Sequence, residues 1–191
     1  MTQAAAAAFL MLVLLFGGPW VTVQSTGAPE PQPARTAQEQ TDAPGADESS
    51  VLRVWNGTET VEMTMAAYLP GVVRGEMPAT FEEEALKAQA VAERTYIYYH
   101  LQRGGKANHP DADVCMDHTC CNAWTGAEQA AQKWGEQAEA YEAKIQEAVR
   151  ATDGQVMLYN GQLILAAFHS SSDGVTASCR DVWVQDLPYL A

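Results

Sequence analysis

Basic residues are scarce in this chain: 11 Lys and Arg stand against 24 Asp and Glu, for a formal net charge of −13 over 191 residues. A protein that grips a polyanion does so by neutralising phosphates, so this balance argues against nucleic acid as a partner. No Lys or Arg precedes Arg35, so the positive flank usual beside a membrane-directed segment is missing. Paired Cys-x2-Cys spacing is absent, and so are a Gly-x-Ser-x-Gly nucleophile elbow and any internal repeat. What is present is 47% hydrophobic residues. That is enough apolar side chain for one sizeable core, with little room for two.

The N-terminus is the most legible stretch by composition. Ala4 to Phe16 is an unbroken apolar run, continued through Gly17, Gly18, Pro19, Trp20 and Val21. Residues 1–23 therefore read as a membrane-directed segment, either a cleaved signal peptide or an uncleaved anchor of the roughly 20 residues that cross a bilayer. Residues 24–50 are built of Pro, Ala, Gln, Thr, Ser and acids, with too little to bury, and read as a disordered linker. Together they imply an extracytoplasmic domain, residues 51–191, held at reach from a membrane or secreted.

From Val51 the pattern alternates. Val51, Val54 and Trp55 precede the Asn56-Gly57 turn signal, and Val61 and Met63 follow it, predicting a β-hairpin. A short helix over 64–69 is expected to stop at Pro70-Gly71. Phe81, Ala85, Leu86, Ala88, Gln89, Ala92, Tyr96 and Tyr99 recur at helical spacing between a Pro78/Thr80 start and a Gly104-Gly105 stop. Residues 106–125 lack periodicity and hold three of the four cysteines, which reads as an ordered loop around a crosslink or a metal. A helical region over 128–150 with a break at Gly135 leads into strands 155–159 and 162–168, joined by Asn160-Gly161. The expected fold is α+β, a single domain with helices packed on an antiparallel sheet.

Two adjoining segments carry the chemistry: Tyr68-Leu-Pro-Gly-Val-Val-Arg-Gly-Glu-Met-Pro78 and Glu84-Ala-Leu-Lys-Ala-Gln-Ala-Val-Ala-Glu-Arg-Thr-Tyr96. They resemble the signature of the stage II sporulation protein D family, a Gly-Val-Val-x-x-Glu-Met-Pro turn followed by an Ala-Leu-Lys-Ala-Gln-Ala-Val-Ala-x-Arg-Thr-Tyr helix. The resemblance extends over about Val51 to Leu190, with His169-Ser-Ser-Ser-Asp-Gly174, Thr176, Asp181-Val-Trp183 and Pro188-Tyr-Leu190 in a second block. Family members usually continue further, which implies that this chain is C-terminally truncated. Asn122-Ala-Trp124 stands where the family more often has Gln-Ala-Tyr.

The resemblance implies a peptidoglycan lytic transglycosylase that cuts the MurNAc-β-1,4-GlcNAc bond with Glu76 as sole acid and base. Glycosidases that use water employ two carboxylates, roughly 5 Å apart when retaining. The lack of an obvious partner within the Glu76 motif suits attack by the muramoyl 6-hydroxyl instead. Without the family, Glu76 is one acid among 24, placed before a helix where carboxylates sit for local electrostatic reasons. Lys87 and Arg94 are two turns apart and share a helix face; the resemblance makes both active-site supports, while Glu83 offers Lys87 an ordinary helix pair. Gln89 is also a candidate, although helix packing is the better reading of it. In the last block Ser171, Thr176 and Tyr189 are expected to bind substrate. Trp183 reads as core rather than as a sugar platform. His169 beside serines does not make a hydrolase pair, because adjacent strand residues face opposite sides.

His109, Cys115 and Cys121 form a His-x5-Cys-x5-Cys arrangement whose donors suit zinc. It also resembles a metal site of some clostridial family members, implying a structural zinc. An oxidising location favours the rival, a disulfide among Cys115, Cys120, Cys121 and Cys179, although Cys120 and Cys121 are poorly placed to pair with each other. The implied substrate is glycan strands already stripped of stem peptides by a cell-wall amidase during spore engulfment. A non-catalytic glycan-binding, amidase-enhancing or scaffold protein is the alternative.

Overall fold

The computed structural model describes residues 45–106, 108–109, 111–183 and 186–190. The membrane-directed segment and linker residues 24–44 lie outside them. Strand β1, Val51–Trp55, turns Leu52 and Val54 inward and Val51, Arg53 and Trp55 outward, the period-two alternation of a half-buried strand. It pairs antiparallel with β2, Thr60–Thr64, as the hairpin signal predicts. Asn56 Oδ1 closes the turn by accepting from the N–H groups of Thr58 and Glu59.

The sheet is mixed rather than antiparallel. Strand β3, Val114–Cys115, lies parallel to β1 on its other side, giving the order β2-β1-β3. A two-residue strand inside an aperiodic loop has no sequence pattern of its own; it pairs because Asp113 clamps Arg53, accepting from its backbone N–H at 2.8 Å and its Nη2 at 2.7 Å.

Thr64 caps helix α2, Met65–Glu76, its hydroxyl accepting from the Ala67 N–H at 3.2 Å. This helix runs straight through Pro70 and Gly71, where a stop was expected. Pro70 removes one hydrogen bond near the helix start, and the buried Leu69, Val72 and Val73 on either side hold the helix by tertiary packing. Helix α3, Glu83–Leu101, packs on α2, and α5, Ala138–Ala151, packs on both. Leu52, Val54, Met65, Leu69, Val72, Leu86, Ala90, Ile97, Ile145 and Val149 meet in the core between them. Helix α4, Ala127–Trp134, ends at Gly135, which takes φ 56° at the predicted break. A 3-10 turn, Gly135–Gln137, then leads into α5.

After α5 the expected strands shrink to β4, Leu158–Tyr159, and β5, Gln162–Leu163. Their turn is the predicted Asn160-Gly161, both at positive φ (50° and 76°). The rest of the C-terminal block is irregular apart from the short α6, Cys179–Val182. Trp183, expected in the core, is 46% exposed, because that block supplies no second layer to cover it.

Residues 45–50, inside the stretch expected as linker, are folded. Helix α1, Ala46–Ser49, is pinned by Asp153, whose carboxylate accepts from the N–H groups of Ala46 and Asp47 at 2.8 Å each. Asp47 is buried and accepts from Arg94 Nη2 at 2.6 Å and Nε at 2.8 Å.

Candidate active site

Glu76 is the last residue of α2, half-buried, with the chain leaving the helix through Met77 and Pro78. The segment Cys121–Thr125 lies along α2 as a strap. The Thr125 N–H donates to Gly71 O (2.9 Å), Trp124 Nε1 to Tyr68 O (3.2 Å), and the Ala123 N–H to Glu76 Oε1 (2.6 Å). Glycine makes this approach possible. A Cβ at Gly71 would sit 2.0 Å from Trp124 Nε1, and one at Gly75 would sit 2.4 Å from Ala123 O. Two glycines four residues apart thus open one face of the helix, to the Trp124 indole at Gly71 and to the Ala123 backbone at Gly75. Arg74 locks the strap's far end, donating Nη1 to Thr125 O (2.9 Å) and Nε and Nη2 to Glu142 (2.8 and 2.9 Å). That pairing holds the Glu142 carboxyl below its ordinary range.

A second carboxyl lies close by. Glu93 on α3 is fully buried. It accepts from Gln89 Nε2 at 2.7 Å and from Asn122 Nδ2. Burial pushes it up to about 8, the nearby Glu76 charge adds to that, and the two amide donors oppose it. Glu93 is therefore a neutral acid at pH 7, the state a buried carboxyl adopts when no cation faces it.

Beside the strap, ligand atoms of His109, Cys115, Cys120 and Cys121 all lie within 4.8 Å of one another. His109 Nδ1 stands 3.0 Å from Ala112 O and Nε2 3.2 Å from Cys121 Sγ. A proton on Nδ1 donated to that carbonyl leaves the Nε2 lone pair facing the sulfurs, as a metal-binding imidazole requires. Burial pushes the Cys121 thiol up to about 12 and raises Cys115, so these thiols ionise only where a cation displaces their protons. One imidazole and three thiols in this space fit a four-coordinate ion such as zinc. All four cysteines are free, and Cys179 is seated instead against Leu187.

The stage II sporulation protein (SpoIID) family model matches residues 56–159, from the first hairpin turn to β4, so it takes in Glu76, the strap and the whole His/Cys cluster. The chain belongs to the stage II sporulation protein D family. It is 37% identical to stage II sporulation protein D of Bacillus subtilis (strain 168) over 123 residues, 64% of this chain and 36% of the relative. The Bacillus amyloliquefaciens protein of that name is 36% identical over 124 residues. An amidase enhancer of Bacillus subtilis is 37% identical over 122 residues, 14% of its own length. The chain spans about a third of the length of the sporulation relatives it matches.

Within this family member, the helix face expected to present Lys87 and Arg94 splits. Arg94 is fully buried and committed to Asp47, with further bonds to the carbonyls of Gln155 (3.1 Å) and Val149 (3.4 Å). It holds the fold together. Lys87 pairs with Glu83 at 2.7 Å and Glu84 at 2.9 Å, the ordinary helix pairing. Thr176 and Tyr189 line one cavity of about 420 Å³ with Phe168, His169 and Trp183. Ser171 is exposed, and Tyr189 Oη accepts from the Leu165 N–H at 3.1 Å. The hydrogen bonds of the described residues link Glu76 to the strap but not to Ser171, Thr176 or Tyr189.

Cys120, Glu93 and Asn122 join the site without having been singled out by spacing. The signal for Glu93 is present, since Leu86, Gln89, Ala90, Glu93 and Ile97 fall on one buried face of α3 and Gln89 precedes Glu93 by one turn. For Ala123 there is no such signal, because its contribution is a backbone N–H.

Proposed function

We propose that this chain is the catalytic part of a peptidoglycan lytic transglycosylase. The reading is carried by Glu76: one carboxylate oxygen is fixed by the Ala123 N–H, and the other accepts no hydrogen bond from the described residues. A carboxyl oriented by one oxygen with the other available is the arrangement acid–base catalysis needs. Protonated Glu76 gives its proton to the glycosidic oxygen as the C1–O bond of the muramoyl residue breaks, releasing the GlcNAc hydroxyl. The Glu76 carboxylate then takes the proton of the muramoyl 6-hydroxyl as O6 bonds to C1. A 1,6-anhydro end forms, no water is consumed, and Glu76 is protonated again. Glu93 does not serve as a glycosidase nucleophile, being sealed from solvent and uncharged at neutral pH.

The His109, Cys115, Cys120 and Cys121 side chains would hold a structural zinc, crosslinking the loop from which the strap departs. The family suits an extracytoplasmic protein acting on glycan strands stripped by an amidase during sporulation, tethered by the N-terminal segment or secreted. The likeness to an amidase enhancer favours a second reading, a glycan-binding module that recruits or stimulates an amidase. Mass spectrometry of products from denuded glycan strands separates them. Anhydro-muramic ends made by the parent and not by Glu76→Gln support the enzyme. No product from either, with strand binding that survives Glu76→Gln, refutes it and supports the binding module.

A further inference from the structure

We propose that Glu93 and Asn122 form a buried positioning pair for Glu76, setting the strap so that the Ala123 N–H stays aimed at the Glu76 carboxylate. This rests on the reading of Glu76 as acid and base. Asn122 and Ala123 are consecutive: the side chain of the first is 6% exposed and bonded to Glu93, and the N–H of the second is bonded to Glu76. One peptide unit therefore carries both contacts, and a planar peptide transmits the position of one end to the other.

The pair is also closed on every side. Glu93 uses one oxygen on Gln89 and the other on Asn122, both of them amides rather than cations. Among the described residues every buried side-chain nitrogen and oxygen has a hydrogen-bond partner. Removing Glu93 orphans the Asn122 amide, and removing Asn122 orphans the Glu93 oxygen that Gln89 does not reach; in either case the strap loses the bond that sets it and relaxes. The rest of the strap is anchored independently, by Trp124 on Tyr68 and by Thr125 on Gly71 and Arg74. The displacement is thereby confined to the peptide that touches Glu76. An acid held within hydrogen-bond reach of its target loses about 100-fold in rate for a misplacement near 1 Å.

Asn122-Ala123 is the one Asn-Ala pair in the sequence. Labelling the full chain with carbonyl-13C asparagine and 15N alanine therefore isolates the Ala123 amide in a single NMR signal wherever Asn122 is kept, and sequential assignment of a uniformly 13C,15N-labelled sample locates the same amide in Asn122→Ala, with each chain in detergent micelles. Glu76→Gln supplies the reference, moving that signal upfield by weakening its acceptor. Glu93→Ala and Asn122→Ala are expected to move it in the same direction, with bound zinc unchanged. On denuded glycan strands they are expected to lower kcat about 10- to 100-fold at a KM within about twofold, and Glu93→Gln restores both signal and rate.

An Ala123 signal unmoved in Asn122→Ala overturns the proposal, and so does a moved signal with an unchanged kcat. Should Glu93→Ala fail to fold, Asn122→Ala and Glu93→Gln decide. If the parent yields no anhydro ends, the enzymatic reading fails while the NMR signal still decides whether the pair positions the Ala123 amide.

Discussion

Glu93→Gln is expected to make the protein more stable, by an amount that grows with pH. Glutamine keeps the shape of the site and, with the Asn122 amide turned to accept through Oδ1, both of its hydrogen bonds, but it has no proton to lose. In the parent, burial holds the folded-state value at about 8 against an ordinary 4.5. Between those values the folded chain binds one proton more than the unfolded chain, so stability falls as pH rises through the window and levels off above pH 8. Each pH unit is worth about 1.4 kcal/mol, so two units inside the window give an upper limit near 3 kcal/mol and an expected loss of about 2 kcal/mol once the fold relaxes around the charge. That is a large share of the roughly 5–15 kcal/mol that stabilises a domain. The assay is urea unfolding of parent and variant at pH 5.5, 6.5 and 7.5, read as the difference in unfolding free energy. His100, lowered to about 4 by burial and by Lys106 and Arg103, gives a slope of opposite sign between pH 4 and its ordinary 6.5, and it cancels in the difference. A constant offset between the two proteins across those pH values would show that Glu93 takes up no proton on folding, and the neutral-acid argument would be wrong.

Asp47→Ala leaves Arg94 as an uncompensated buried cation, and breaking such a pair from one side costs about 3–5 kcal/mol; a chain beginning at Val51 should show the same loss in urea unfolding, and a change below 1 kcal/mol would mean that α1 contributes nothing to the fold. Cys120→Ser removes one of four clustered donors, so zinc affinity should fall at least 10-fold in a competition titration against a chromogenic chelator, with a lower Tm of the zinc-loaded protein; unchanged affinity would leave His109, Cys115 and Cys121 as the full protein ligand set. Chelator treatment of the parent is expected to lower Tm in the same way, read by scanning calorimetry, and no shift would refute a structural ion.

How much of this was legible in the sequence depends on the range of the interaction. The first hairpin, α3 and the Asn160-Gly161 turn are set by residues within a few positions of one another, and their patterns are plain. Helix α2 continuing through Pro70 is not, because what holds it is distant: core packing of Leu69, Val72 and Val73 and bonds from the strap about 50 residues on. Strand β3 pairs across a similar gap through Asp113 and Arg53. Arg94 is the instructive case. Its spacing from Lys87 correctly put it on a helix face, but a face says nothing about what covers it, and the covering group, Asp47, sits in a stretch whose composition reads as linker. Charge alone marks neither a surface nor a binding residue; only the buried partner decides.

The same reasoning explains why the cysteine loop and the acid belong to one unit. Cys121 closes the ligand cluster, Asn122 reaches Glu93, Ala123 holds Glu76, Trp124 packs on Gly71, and Thr125 is clasped by Arg74. Five successive residues thus make five different anchors, of which only Cys121 and Trp124 also lay apolar surface against the core. Such a segment has no hydrophobic periodicity to hold it, and its backbone polar groups must all find partners where they are buried. The His/Cys cluster fixes the strap's entry, and the glycine face of α2 fixes its exit. Between these ends the Asn122–Glu93 bond sits one residue from the amide that holds Glu76, which makes it the place where the proposed positioning of the carboxylate is open to mutation.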